Sequence, residues 1–237
     1  MATDLEAQRE RLKRTTMLEA SAEMAHDIKN PLTPVQLSAE YLLRVVANEG
    51  QASRSVVERC AANILRQVRT LRQIASEFSS FGTAPVAHPE PWDVLELLEE
   101  IELSYRAGLD GRVEVVATVS PELPDAFADR VLVPRALTNL VENALHAISD
   151  RGRVLLRGLA AGDCQISIEV IDTGSGIESA VLQRIFEPYF STRTGGTGLG
   201  MAIVKRNIEA NGGTIAVTST LGQGTCVSVV LPAASDR

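Results

Sequence analysis

Aromatic side chains are scarce in this chain: five Phe, three Tyr and one Trp make up 4% of its 237 residues. Its cores must therefore be aliphatic, and a 45% hydrophobic content is enough for one or two compact domains. Cysteine is also scarce. Cys60, Cys164 and Cys226 stand far apart within apolar stretches and lack metal-ligand spacing, which argues against a disulfide framework or zinc site and reads as reduced core or strand residues, in keeping with the cytosol. Basic residues do not dominate, since 23 Lys and Arg stand against 30 Asp and Glu, a formal net charge of −7. Sequence-independent nucleic-acid binding needs clustered cations to displace counterions, so no such partner is implied. No run approaches the ~20 apolar residues of a membrane span, and the start lacks a secretory apolar region. Any membrane anchor is expected in segments outside this chain.

What is present first is a helical seam. Met17, Ser21, Met24, Ile28, Pro31, Val35, Ser38, Leu42 and Val45 recur at alternating steps of four and three, which predicts one long helix over about residues 4–46. His26 lies midway between Met24 and Ile28, about 200° round the helix from each. It therefore faces water. Asn30, one turn on, shares its face, and Asp27 adjoins the imidazole. Pro31 withholds a backbone donor and predicts a kink just beyond the histidine. The charged stretch of Arg9, Glu10, Arg11, Lys13 and Arg14 reads as a solvated face.

After a break at Gly50, a second helix is predicted over about 54–81, with a seam of Val57, Ala61, Ile64, Val68, Leu71, Ala75 and Phe78. The two helices make an antiparallel hairpin. Each seam is too long and apolar for one partner helix to bury, so two hairpins pairing into a four-helix bundle predict a homodimer.

Pro85, Pro89 and Pro91 then exclude helix and predict a linker. From Trp92 onward the texture is mixed. Helices are predicted over about 93–105, 129–148 and 198–210, and strands over 113–119, 164–171 and near 154–156, 214–218 and 226–231. The fold class is thus a helical hairpin (1–82), a linker (83–91) and a helix layer on a mixed α/β sheet (92–237).

Four motifs in this last part suit phosphate chemistry. Asn139 and Asn143 lie one helical turn apart, and an amide carbonyl with phosphate oxygens makes a plausible magnesium shell; a solvated stripe is the plainer reading. Asp172-Thr173-Gly174-Ser175-Gly176 stands at a strand end, where a carboxylate can accept from an amine and glycines let a ligand approach the backbone; a tight turn would look the same. Gly195-Gly196-Thr197-Gly198-Leu199-Gly200 opens a helix, whose first N–H groups and positive dipole end favour phosphate. It has the spacing of neither a Walker A loop nor a Rossmann fingerprint. Gly222-Gln223-Gly224-Thr225 alone would be a hairpin turn.

In this order the four resemble the N, first-glycine, F and second-glycine boxes of the GHKL ATP-binding superfamily in its histidine-kinase form, with Ile185-Phe186-Glu187-Pro188-Tyr189-Phe190-Ser191-Thr192-Arg193 where the F box belongs. His26-Asp27-Ile28-Lys29-Asn30-Pro31-Leu32 resembles the phosphoacceptor box of sensor histidine kinases, and Thr33 to Glu40 is similar to the NtrY-like nitrogen-regulation branch. The resemblance implies a Bergerat-type α/β sandwich, binding ATP and Mg²⁺, with a lid between Ile177 and Gly196. Asn143 would hold Mg²⁺ with Asn139 alongside, Asp172 would read the adenine amino group, and Gly174 and Gly176 would line its pocket. Gly196, Gly198 and Gly200, with Thr197 and Leu199 between them, would cradle phosphates, and Thr225 would contact the nucleotide.

There are departures from the family pattern. Thr173 replaces a frequent Asn, and His146 stands where many relatives carry a phosphate-contacting Lys, which makes Arg193 the candidate substitute. The implied reaction is transfer of the γ-phosphoryl group to His26, with Asp27 holding the other ring nitrogen. The phosphoryl group then passes to an aspartate of a response-regulator receiver domain, and Asn30 would orient water for the reverse, phosphatase duty. Two alternatives stay open: a GHKL conformational ATPase, which Asn139 in place of a catalytic Glu disfavours, and a dimeric scaffold acting mainly as a phosphatase. The expected location is the cytoplasmic core of a membrane-bound sensor.

Overall fold

The computed structural model describes residues 28–45, 54–82, 84–106, 111–162, 164–193 and 196–234. His26 and Asp27, with the seam positions Met17, Ser21 and Met24, lie outside these residues. The chain divides into two units, one running to Gly82 and taking in Ser191–Thr197, the other comprising Thr83–Phe190 and Gly198–Arg237.

The first unit contains helices α1 (residues 28–45) and α2 (Arg54–Gly82). Ile28, Pro31, Val35, Ser38, Leu42 and Val45 are buried or half-buried, and apart from Pro34 the other α1 residues are exposed. Helix α1 is assigned without a break through Pro31 and Pro34. The inward face of α2 differs from the expected seam. Val57, Ala61 and Ala75 are exposed, and Val56, Cys60 and Ile74 turn inward in their place. Apolar residues come in adjacent pairs there, Val56 with Val57 and Cys60 with Ala61, so the sequence admits two seams one residue apart. Asn63 selects between them, because its Nδ2 donates to Ser38 Oγ on α1 at 2.8 Å.

The second unit is an α/β sandwich. Its elements are β1 (Glu90–Trp92), α3 (Val94–Arg106), β2 (Val113–Val119), β3 (Ala126–Ala128), α4 (Leu132–Ala147), β4 (Gly152–Ala160), β5 (Gln165–Asp172), α5 (Ser179–Leu182), α6 (Gly200–Ala210), β6 (Thr214–Thr220) and β7 (Gly224–Pro232). Five strands form a mixed sheet in the order β2-β4-β5-β7-β6, with β2 and β4 parallel and the remaining pairs antiparallel. Along β5, Ile166, Ile168 and Val170 are buried at every second position, and Asp172 is the next residue in that series. The period that builds the core thus carries a carboxylate to the end of the strand. The core is aliphatic as composition requires, and Trp92 is the one aromatic residue in its buried cluster.

Two expectations are corrected here. The end of the expected linker is a strand: β1 pairs antiparallel with β3, Glu90 opposite Ala128, and the buried Trp92 indole donates to Ala128 O at 2.9 Å. Three residues with a central proline show no readable period, so the sequence carries no sign of β1. Cys164 is exposed rather than in a core or strand, while Cys60 and Cys226 are half-buried free thiols.

Helix α4 begins at Leu132 rather than at 129, and Asp129 ties down the turn that leads into it. The Asp129 carboxylate accepts the N–H groups of Val131, Leu132 and His88, each at 2.8 Å. Burial works against its ionisation, but the N–H groups of His88, Leu132 and Val131 outweigh burial and hold its pKa below the ordinary carboxylate value of 3.8. A carboxyl depressed in the folded state stabilises above its unfolded pKa, and that stabilisation is lost as pH falls through the folded value. Asp129→Ala should therefore destabilise by about 1–2 kcal/mol near neutral pH. In urea titrations at a series of pH values, the gap between variant and parent should narrow below pH 3.8.

Candidate active site

The site is assembled at the end of β5. Asp172 is 7% exposed, and its Oδ1 accepts the Gly174 N–H at 2.7 Å. Burial pushes its pKa up, and the N–H groups of Gly174 and Thr225 act in the opposite direction. Thr225 lies directly across from Asp172 in the β5–β7 register. Its hydroxyl pairs with Ser219 Oγ at 2.9 Å, and Ser219 in turn accepts the Ile177 N–H and donates to Gly224 O, both at 2.8 Å. Since the one Ser219 proton goes to Gly224, Thr225 is the donor in the pair. Ser219 had no signal in the sequence, being one polar residue among several in β6.

The glycine turn after Asp172 is wedged between protein backbones. A Cβ on Gly174 would lie 2.7 Å from Ala147 O at the end of α4, and one on Gly176, where φ is 68°, would lie 2.1 Å from Thr220 O. The Ser175 N–H donates to Ala147 O at 3.0 Å. Thr173 ties the same turn to β4, its Oγ1 accepting the Arg153 N–H at 2.9 Å.

Helix α4 supplies the next wall. Asn139 and Asn143 are half-buried one turn apart, and Nδ2 of Asn143 lies 3.4 Å from Met201 Sδ in the first turn of α6. That contact turns the amide's carbonyl edge away from the sulfur. His146 is exposed and its Nδ1 bonds Glu142 O at 2.6 Å, so the proton sits on Nδ1 and Nε2 points away from the helix. Leu199, just before α6, is 3% exposed, so its backbone is what it can offer a ligand. The glycines of this loop differ among themselves. Gly198, at φ 67°, would place a Cβ 2.4 Å from the Tyr189 carbonyl carbon, whereas Gly200, the first residue of α6, would meet nothing within 4 Å.

Gly196, Thr197 and Arg193 belong to the stretch Ser191–Thr197, which groups with the helical unit. The Thr197 hydroxyl donates to the buried Glu77 carboxylate of α2 there. Arg193 closes a local turn in which its N–H donates to Ser191 Oγ at 3.1 Å. Asn30 is exposed on α1. Among the described residues no group of three or more His, Cys, Asp or Glu could hold a metal ion.

Residues 16–79 match the family described as "His Kinase A (phospho-acceptor) domain", and residues 128–235 match "Histidine kinase-, DNA gyrase B-, and HSP90-like ATPase". With both domains in this order, the chain belongs to the histidine kinase family. Among curated relatives it is 37% identical over 220 residues to nitrogen regulation protein NtrY of Azorhizobium caulinodans, spanning 89% of this chain and 28% of that protein. It is 31% identical over 227 residues to signal transduction histidine-protein kinase AtoS of Escherichia coli, spanning 95% and 36% respectively. The chain thus spans only 28% and 36% of the length of these two relatives. A solved structure of full-length ShkA in complex with AMPPNP superposes with a TM-score of 0.67 at 26% identity, covering 87% of this chain and 47% of that one. Histidine kinase ThkA, solved with response regulator protein TrrA, gives a TM-score of 0.76 at 22% identity over 98% of this chain and 66% of that one, a likeness of fold.

A carboxyl whose folded pKa is raised stabilises below its unfolded pKa, and that contribution is lost as pH rises through the folded value. Ionised Asp172 thus works against folding at neutral pH. Asp172→Asn keeps an oxygen for the Gly174 and Thr225 N–H groups, and should melt above the parent at pH 7 by calorimetry. The difference should vanish under acidic conditions where Asp172 is protonated.

Proposed function

We propose that the chain phosphorylates its own His26 from Mg-ATP and passes the phosphoryl group to an aspartate of a response-regulator receiver domain. The observation that carries this reading is the meeting, in one unit, of a buried strand-end carboxylate, an asparagine face on α4 and a helix start opened by glycine. Asp172 has the chemistry to accept the amino group of adenine. Gly174 and Gly176 flank that pocket, and Thr225 steadies the carboxylate through its N–H.

The residues also fit the metal. Asn143 brings one hard oxygen near the start of α6, and among the described residues no carboxylate cage surrounds it, which suits an ion that keeps waters and takes its other ligands from phosphate. Magnesium, when bound, neutralises charge on the phosphate oxygens. Asn139 and His146 extend the α4 face, His146 offering Nε2. Gly196, Thr197, Gly198, Leu199 and Gly200 form the loop that cradles the phosphates, Gly198 and Gly200 offering backbone N–H groups while the Gly196 N–H is held by Arg193 O at 3.2 Å, and Arg193 supplies the lid cation.

His26 offers one ring nitrogen to the γ-phosphorus. Asp27 accepts from the other, which fixes the tautomer and stabilises the imidazolium. Asn30 orients a water for removing phosphate from the regulator. Dimerisation through the hairpin (1–82) is supported by the apolar residues that α1 and α2 leave exposed, among them Leu37 at 60%, Leu43 at 72% and Leu65 at 59%. The linker expected over 83–91, its last two residues taken into β1, then leads to the ATP-binding domain (92–237). We place the chain in the cytoplasm as the core of a membrane-bound sensor; no helix among the described residues is long and apolar enough to cross a membrane.

The test is incubation with ATP labelled at the γ-phosphate and magnesium, comparing the parent with His26→Gln. Acid-labile, alkali-stable label that disappears in the variant is the expected outcome, and label that survives the substitution would refute it. A second comparison probes the phosphate loop. Gly200→Ala should fold as the parent does, because its new methyl meets open space and alanine favours helix. It should nonetheless weaken ATP binding measured by titration calorimetry, because a ligand's phosphates need that space.

A further inference from the structure

Three buried polar residues, Asn207, Asn211 and Asp129, lie where the end of α6 meets the start of α4, and each is 6% exposed or less. The two helices run antiparallel within the α/β unit. Leu132, the first residue of α4, stands beside Asn207 near the end of α6, and Asn143 near the end of α4 stands beside Met201 in the first turn of α6. One end of the pair thus carries the asparagine of the candidate metal site and the glycine that opens α6. The other end carries a chain of hydrogen bonds. Asn207 Nδ2 donates to Leu132 O at 3.3 Å, Asn211 Oδ1 accepts the Asp129 N–H at 2.6 Å, and Asn211 Nδ2 donates to Asn207 O at 2.8 Å.

Closing a helix end accounts for only part of this chain. The Asn211 N–H turns back to Ile208 O at 3.0 Å, so Asn211 Nδ2 takes over the Asn207 carbonyl. That duty requires neither Asn211 Oδ1 nor the Asn207 side chain. The other buried residues of α6 are Ala202, Ile203, Val204 and Ile208, and those of α4 are all apolar. Aliphatic contact is non-directional and resists a slide or tilt of one helix on another only weakly. A buried amide with one partner in reach admits a single register, at a cost in stability. Leucine at 207 would fill the place and leave no buried donor unpaired, since Leu132 O keeps the helical bond that α4 itself supplies. Stability therefore does not call for this asparagine, and alignment does.

We propose that Asn207, together with Asn211, is a positioning residue that sets the register and tilt of α6 against α4, and through them the separation between Asn143 and the start of α6 across which the phosphates and their metal are held. The inference rests on the nucleotide-binding reading given above. Neither asparagine touches a ligand. About 10 Å of helix separate Asn207 from Gly200. A tilt of about 5° over that length shifts Gly200 by about 0.9 Å, the scale at which hydrogen bonds to a phosphate are lost. Asp172, at the end of β5, stands on neither helix, so the adenine end of the site is spared.

The test is titration calorimetry on the full 237-residue chain with a non-hydrolysable ATP analogue plus magnesium. Adenosine is read by its displacement of that analogue, and melting temperatures are recorded alongside. Asn207→Leu should melt close to the parent yet bind the analogue about two- to tenfold more weakly, the scale of one hydrogen bond, with adenosine binding unchanged. Asn207→Ala, smaller in the same place, should show the same selective loss and covers the case in which leucine disturbs the packing. Asn211→Ala should show it too, with a lower melting temperature because the Asp129 N–H loses its acceptor. Analogue affinity equal to the parent's in both Asn207→Leu and Asn207→Ala, or a loss shared equally by adenosine, would overturn the alignment role and leave the nucleotide reading intact. A parent chain that does not bind the analogue would overturn that reading and this inference with it.

Discussion

Asp172 sits buried at the end of β5 with the N–H groups of Gly174 and Thr225 turned onto it, and the geometry of the site follows from keeping that carboxylate where it is. A charge in that position is unfavourable without donors, and the donors come only if the chain turns sharply and at once. The turn requires Gly174 to lie flush on the end of α4 and Gly176 to pass under the end of β6. It also requires β7 to arrive in register so that Thr225 stands opposite. The sheet, the α4 helix and the two turns are thereby held to one another by a group that does not help the fold at neutral pH. Such a cost is the mark of a candidate binding site, where a group is held for reasons other than stability.

The glycines sort into two physical kinds. At Gly174, Gly176 and Gly198 the room for a side chain is already filled by the protein's own backbone, so these positions shape the site whether or not a ligand is present. At Gly200 the room is empty. Glycine there is a poorer helix residue than alanine would be, and nothing internal compensates for it. The distinction separates three glycines whose side-chain space the protein itself fills from one whose space stays empty.

How far the sequence spoke for the structure depends on the length of each pattern. Strand β2 over Val113–Val119 and helix α2 over Arg54–Gly82 have enough residues for alternation or a heptad seam to show, and the sequence-based ranges agree with them to within a residue. Strands β1 and β3 have three residues each and α5 has four, too few for any period. The α2 seam was misplaced because adjacent apolar pairs left two registers equally good, and a polar contact, Asn63 to Ser38, selects between them. At the site, the motif residues of the α/β unit were legible from their order along the chain. Ser219 was not, since it is an ordinary strand serine whose partners Thr225, Ile177 and Gly224 come together only in the folded sheet.

The strand that ends the linker has a consequence for watching this molecule. Trp92 is the chain's single tryptophan, and in β1 its indole is 4% exposed with the N–H bonded to Ala128 O. Intrinsic tryptophan emission therefore originates entirely in the α/β unit, from an apolar and rigid setting, and is silent about the hairpin. Circular dichroism at the helical minimum draws on both units. Recording the two signals along one unfolding curve would show whether the units melt together or in sequence, with no label attached and no residue changed.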